Sequence, residues 1–164
     1  MIVIGGLALH DRKALAEFLT LYLGTATVVI VLAVLVPAVG AYVHHSPDAG
    51  LLERLSDPAA GRWHLADFTA LRDGAFSHLS FQSMEGIITF PSLHTALAIL
   101  FARAFWRLPY LGFVGLALNG MMIVSTLAVG GHYLVDTLAG GVIALLGFAA
   151  LRARHPPAGS LRMT

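Results

Sequence analysis

The sequence predicts an all-α protein, a polytopic bundle of transmembrane helices. Of its 164 residues, 57% are hydrophobic and 12% are charged, whereas soluble domains carry about 25% charged residues. The mean hydropathy is +0.80, and apolar runs approaching the roughly 20 residues of a membrane-spanning helix recur along the chain. The absence of cysteine excludes disulfides and thiolate metal sites. The net charge of +1 gives no reason to expect a nucleic-acid partner.

The chain starts with an apolar stub, Met1 to Leu9, which is followed by the charged segment His10 to Lys13. A signal peptide carries its positive charges before the apolar region, so this order does not fit one. The stub is also too short to span a bilayer. We interpret it as the end of a helix whose beginning is missing, or as an interfacial piece.

Four apolar segments are predicted to cross the membrane. Pro37 lies in the second half of the first segment and should kink it. Pro91 opens the second segment, where proline is favoured at a helix start. Asn119 lies in the middle of the third, and a polar side chain in lipid is expected to bond another helix. The spans are about 18–43, 90–106, 109–128 and 132–151, and residues 152–164 form a basic tail on the cytoplasmic side.

The polar part of the chain, residues 46–89, is predicted to be an outer loop. Between Trp63 and Phe81 apolar residues recur at roughly helical spacing, which indicates one or two short amphipathic helices at the membrane surface. A plain solvated loop is the alternative.

The distribution of positive charge predicts the orientation. Arg12 and Lys13 precede the first span, Arg103 and Arg107 separate the second and third, and three arginines follow the fourth. With four spans these groups share one side, which is cytoplasmic by the positive-inside rule. The protein is therefore expected in the inner (plasma) membrane as a multi-pass protein, with the starts of the second and fourth spans facing outward.

Two histidines come together in this topology. His132 and Asp136 lie four residues apart, on one face of a helix, and a carboxylate near an imidazole prepares a nucleophile or base. An ionisable pair in a membrane segment favours a functional site, although a structural His–Asp pair between helices fits the pattern equally well. His94 follows Ser92 at the start of the second span, where a helix N-terminus can seat an anion. Ordinary capping and an interfacial histidine are the alternative there.

These residues stand in two recognisable motifs. Pro91-Ser92-Leu93-His94, followed by Gly131-His132-Tyr133-Leu134-Val135-Asp136, resembles the second and third signature motifs of the type 2 phosphatidic acid phosphatase (PAP2) superfamily. Within it, the sequence resembles the branch similar to inositol phosphorylceramide synthases, which are inositolphosphotransferases with Pro-Ser-Leu-His and His-Tyr-x-x-Asp forms. The resemblance covers about residues 67–141.

The resemblance implies an integral membrane enzyme that acts on lipid phosphate esters through a phosphohistidine, by hydrolysis or transfer, with its active site on the outer face. It implies no metal or other cofactor. It also implies a six-helix core, so either two helices are missing from an incomplete chain or a partner completes the bundle, such as a second copy in a homodimer.

Carried over residue by residue, the resemblance implies a complete catalytic set. His132 would be the nucleophile, Asp136 its orienting carboxylate, and His94 the general acid that protonates the leaving alcohol. Ser92 and the backbone amides beside it would bind the phosphate.

The sequence departs from the family pattern in its cations. Thr126 stands where the third motif commonly has arginine, and the first motif, with its lysine and arginine, has no convincing match. A phosphodiester carries less charge than a phosphomonoester, so this loss suits transfer between lipids. Arg72 and Arg62 are the candidate replacements in the outer loop, although Arg72 could equally be solvated and paired with Asp73.

Two other functions fit the same residues. His94 and His132 could ligate haem or a metal between two helices. The missing cations would also fit a catalytically inactive PAP2-like subunit.

Overall fold

The computed structural model describes residues 2–38, 40, 66, 69–70, 73–74, 88–128 and 132–154. Within these ranges it is all-helical, with five helices and no strand, which confirms the all-α part of the predicted fold class. The helices are α1 (Ile2–His10), α2 (Arg12–Leu35), α3 (Leu93–Trp106), α4 (Gly112–Ala128) and α5 (Leu134–Arg154). The amphipathic helices predicted in the outer loop and the basic tail from residue 155 onward lie outside the described residues.

Two helices, α2 and α5, are long and apolar enough by length and composition to cross a membrane. The other two predicted spans correspond to shorter apolar helices, α3 with 14 residues and α4 with 17. Large apolar side chains cover the outside of the bundle, and Val34 and Phe113 are 75% and 78% exposed. Such a surface is suited to contact with lipid.

The core is built around α3, which contacts the other four helices. Phe18 and Leu21 of α2, Leu100 and Ala104 of α3 and Ala144 of α5 are buried together. The two long helices therefore pack on α3 through small and aliphatic side chains, which leaves their remaining faces exposed.

The helices alternate in direction. The start of α2 lies beside the end of α3, where Glu17 is 3.9 Å from Arg103. The starts of α3 and α5 meet at the other end of the bundle, where the Ser92 N–H donates to the carbonyl of Asp136 at 3.0 Å. The charged residues and histidines of α2, α3 and α5 thus lie near one of two ends of the bundle.

The apolar start of the chain is a short helix packed into this core. Val3 and Leu7 of α1 are buried. Asp11 forms the corner between α1 and α2, because its Oδ1 accepts a hydrogen bond from the Ala14 N–H at 2.9 Å and so caps α2. The same carboxylate lies 3.6 Å from Arg107.

Two local predictions were wrong. The first is the kink expected at Pro37, because α2 already ends at Leu35. Val36 has non-helical φ and ψ of −130° and 71°. A proline disfavours the helical conformation of the residue before it, which explains why the helix ends there. Asn119 bonds its own helix rather than another, donating to the Gly115 carbonyl at 2.7 Å. A polar side chain on a helix can bond the backbone carbonyl four residues earlier, so it needs no partner helix.

Candidate active site

The turn before α3 is set by Ser92, which is completely buried. Its Oγ accepts hydrogen bonds from the backbone N–H and the hydroxyl of Thr95, at 3.3 and 3.1 Å. This is the N-cap arrangement that starts a helix. The first backbone N–H groups of α3 are those of Leu93 and His94. They have no partner within the helix, as is general for the N-terminus of a helix.

The start of α5 is set by Asp136, which is also buried. Its Oδ2 accepts a hydrogen bond from the Tyr133 N–H at 2.7 Å. This is the return bond of a capping box, in which an acidic side chain in the first turn bonds the N-cap residue. The neighbouring His132 N–H donates to the Thr126 carbonyl at the end of α4, at 3.2 Å. These bonds fix the turn that carries the His132 side chain.

The two helix starts are locked together through the backbone. Besides the hydrogen bond from Ser92 to the Asp136 carbonyl, Gly140 of α5 packs directly on the Ser92 carbonyl, in the space that a Cβ atom would occupy. Glycine is needed for this close approach because any side chain would collide with the α3 backbone. The approach places the two histidine-bearing turns side by side.

His132 is 6% exposed, and its Nδ1 lies 2.8 Å from the Thr89 carbonyl oxygen. A carbonyl can only accept a hydrogen bond, so Nδ1 carries the proton and the lone pair of the neutral ring lies on Nε2. The Asp136 carboxylate is 3.7 Å from the same Nδ1, too far for a hydrogen bond and close enough for electrostatic attraction.

The second imidazole, His94, is exposed and lies against the first. The ring centroids of His94 and His132 are 5.7 Å apart, with the planes inclined at 62°. A buried imidazole whose Nε2 has no hydrogen-bond partner among the described residues therefore stands beside an exposed imidazole in the first turn of a helix, a geometry suited to a nucleophile and a proton donor.

A family model described as the PAP2 superfamily matches residues 1–150. The chain belongs to the PAP2 superfamily. The match is longer than the motif region alone and supports the superfamily, without extending to the branch similar to inositol phosphorylceramide synthases. No curated protein and no solved structure matches the chain.

PAP2 membership suggests a phosphatase-type function on lipid phosphates. Together with the lengths and apolar compositions of α2 and α5, it also suggests a membrane protein. In this PAP2 chain the structure brings together four of the predicted site residues, which are Ser92, His94, His132 and Asp136. Arg72 and Arg62, the predicted phosphate-binding cations, lie outside the described residues.

No described lysine or arginine stands at this end of the bundle. All of them lie in the first turn of α2, near the end of α3 or in the last turn of α5, at the opposite helix ends. Thr126, which replaces the family's arginine, donates its hydroxyl hydrogen to the Ile123 carbonyl of its own helix at 2.7 Å. Among the described residues, no group of three His, Asp or Glu side chains is arranged to hold a metal ion.

Sequence reasoning missed two contributors to the site. The Thr89 carbonyl is a backbone group, so no residue type marks its role. Gly140 is one of several glycines in apolar segments, and its pairing with Ser92 depends on how α3 and α5 cross. Two adjacent glycines such as Gly140-Gly141 permit a close helix approach, but they do not indicate which partner the helix approaches.

Proposed function

We propose that this PAP2 protein is a multi-pass phosphotransferase or phosphatase that cleaves lipid phosphate esters through a phosphohistidine on His132. The observation that carries the proposal is the buried His132 ring, which lies beside the His94 ring. Its Nδ1 is engaged by Thr89, and its Nε2 has no hydrogen-bond partner among the described residues. A nucleophilic imidazole needs a lone pair on one nitrogen and a partner that holds the proton on the other.

In the first step, Nε2 of His132 attacks the phosphorus of the lipid. The new N–P bond forms as the P–O bond to the leaving alcohol breaks, and His94 gives its proton to that oxygen. The ring of His132 becomes positively charged, and the Asp136 carboxylate at 3.7 Å stabilises it. The products are a His132 that carries the phosphoryl group, still bearing its second ester group when the substrate is a phosphodiester, a neutral His94 and the released alcohol.

In the second step an acceptor attacks the phosphohistidine. His94 takes the proton of the acceptor hydroxyl as the N–P bond breaks, which returns both histidines to their starting states. Water as acceptor gives hydrolysis, and an alcohol of a second lipid gives transfer. The same groups serve both outcomes, so the chemistry of the acceptor decides between phosphatase and transferase.

The backbone N–H groups at the start of α3 are proposed to bind the phosphate. They carry the positive end of the helix dipole and lie in the turn of His94. Ser92 contributes by capping this turn, since its buried oxygen already accepts two hydrogen bonds from Thr95. Arg72 and Arg62 of the outer loop supply the remaining positive charge. Because the described part of the site has no lysine or arginine, a phosphodiester is the favoured substrate and transfer between lipids the favoured reaction.

The site lies on the extracytoplasmic face in this proposal. In it, each of the four helices α2 to α5 crosses the membrane. The shorter α3 packs against both long helices, and α4 packs chiefly against α3. The arginines at the other end of the bundle then face the cytoplasm, as the positive-inside rule requires.

The test is to incubate membranes containing the protein with a phospholipid labelled at phosphorus, and to follow both inorganic phosphate and new phospholipid products. We expect label in a new phospholipid, and loss of all products in His132→Gln. His10→Gln, an exposed histidine on α1, is the matched control and should keep full activity. Unchanged product formation by His132→Gln would refute the proposal.

A further inference from the structure

Two acceptors compete for the Nδ1 proton of His132, and their distances differ by nearly 1 Å. The Thr89 carbonyl oxygen lies at 2.8 Å, within the normal range for an N–H···O bond. The nearer carboxylate oxygen of Asp136 lies at 3.7 Å, outside it. The proton on Nδ1 therefore points to a backbone atom.

We propose that the Thr89 carbonyl, rather than the Asp136 carboxylate, fixes the tautomer of His132. Thr89 is then a positioning residue that acts through its main chain, and the inference rests on the proposed function for the role of His132 as nucleophile. Asp136 acts instead by capping α5 and by its charge.

The Asp136 carboxylate already accepts a hydrogen bond from another donor, which supports this assignment. Its Oδ2, the oxygen nearer to His132, accepts the Tyr133 N–H at 2.7 Å. Bringing that oxygen closer to His132 Nδ1 would lengthen the bond that caps α5. Among the described residues, Asp136 and His94 are the ionisable groups that face His132.

The Thr89 carbonyl is held in place by the same contacts that join α3 to α5. Thr89 is buried, and three residues later the Ser92 N–H donates to the Asp136 carbonyl. The acceptor and the imidazole thus sit on two segments tied by a main-chain hydrogen bond. This tie keeps the distance from Thr89 to His132 independent of the Asp136 side chain.

The substitution Asp136→Asn distinguishes the roles of the two acceptors. The amide oxygen of asparagine can still accept the Tyr133 N–H, and the Thr89 carbonyl is unchanged, so Nδ1 should keep its proton. We expect kcat to fall about 10-fold from the lost negative charge. In serine proteases, where the carboxylate itself fixes the tautomer, the same change lowers kcat about 10⁴-fold.

A backbone substitution tests Thr89 directly. Replacing Phe90 with its α-hydroxy analogue, phenyllactic acid, turns the carbonyl of Thr89 into an ester carbonyl, which is a weaker acceptor. We expect a lower occupancy of the Nδ1–H form and a fall in kcat of about 10-fold, for one weakened hydrogen bond. The same replacement at Phe113, which is exposed on α4, is the matched control and should change neither.

The deciding readout is the ¹⁵N chemical shifts of the His132 ring in full-length protein, assigned by comparison with His132→Gln. The proposal expects the Nδ1–H form in both the unmodified protein and Asp136→Asn, and a shift towards the Nε2–H form in the Phe90 ester. A change to Nε2–H in Asp136→Asn, with the Phe90 ester unaffected, would overturn it. This measurement needs no turnover. The question of which group fixes the tautomer is therefore answered even if the proposed lipid chemistry proves wrong.

Discussion

The two ends of the bundle hold polar residues in opposite ways. At the histidine end, which comprises Thr89, Ser92, His94, His132 and Asp136, every group except His94 is buried. Hydrogen bonds of 2.8 and 3.0 Å join Thr89 to His132 and Ser92 to Asp136. At the arginine end, which comprises Asp11, Glu17, Arg103 and Arg107, the ion pairs are longer and the side chains partly exposed; those of Arg103 and Glu17 are 39% and 23% exposed at 3.9 Å.

The difference indicates what each end does. Exposed ion pairs contribute little because water screens them and their long side chains lose entropy. Buried polar groups are costly unless each finds a partner at good distance, so a satisfied buried network holds its members in one geometry. The histidine end is thus built for positioning, whereas the ion pairs of the arginine end contribute modest stabilisation.

Gly140→Ala should break the histidine end most severely. A Cβ atom there would collide with the Ser92 carbonyl, forcing α5 away from the turn that carries His94. We expect a loss of about 1–3 kcal/mol in stability from overpacking and a fall of about 100-fold in kcat from misplaced histidines. Thermal unfolding in detergent and lipid turnover per folded molecule measure these effects.

Gly141→Ala is the matched control for this substitution. Its Cβ would meet Ile99 Cδ1 at 3.7 Å, an ordinary contact, so stability and turnover should stay near those of the unmodified protein. Equal behaviour of the two variants would show that the contact of α5 with Ser92 does not position the site.

The helix caps at the two ends offer a direct comparison. Ser92→Ala removes the cap of α3 and Asp11→Ala removes the cap of α2, and each should cost about 1 kcal/mol of stability. Turnover per folded molecule should fall in Ser92→Ala, because the turn of His94 loosens, and should be retained in Asp11→Ala. If both variants lost activity equally, the separation of roles between the two ends would be wrong.

The smallest effect is expected at the arginine end. Glu17→Gln removes the partner of Arg103 and should cost about 0.5 kcal/mol or less, with no change in turnover. A double-mutant cycle with Arg103→Gln isolates the pair, since Arg103 also lies over the Phe148 ring at 5.1 Å. A coupling energy as large as the effect of Gly140→Ala would remove the contrast between the two ends.

Much of this arrangement could be predicted from the residues. Successive membrane spans alternate in direction, so the starts of the second and fourth spans were expected at one end, and the structure has His94 and His132 side by side. The four-residue spacing of His132 and Asp136 also predicted their proximity. Spacing alone could not say that a hydrogen bond to the Tyr133 N–H would hold the carboxylate farther away.

Other features of the structure could not be predicted from any pattern in the sequence. The Thr89 carbonyl belongs to the backbone, and the choice between a kink and a helix end at Pro37 depends on the conformation of Val36. The roles of Arg72 and Arg62 stay predictions, because they depend on how the outer loop folds over the site. Side-chain spacing thus located the histidines, whereas main-chain contacts between helices set their chemistry.

The central claim is that His132 takes the phosphoryl group on Nε2 while Thr89 holds the proton on Nδ1. The most direct test is to quench the protein during turnover of a phospholipid labelled at phosphorus, and to locate the label and its linkage by mass spectrometry and comparison with the two phosphohistidine isomers. We predict Nε2-phosphohistidine at residue 132, and none in His132→Gln. Label on Nδ1 of His132, or on His94, would contradict the account.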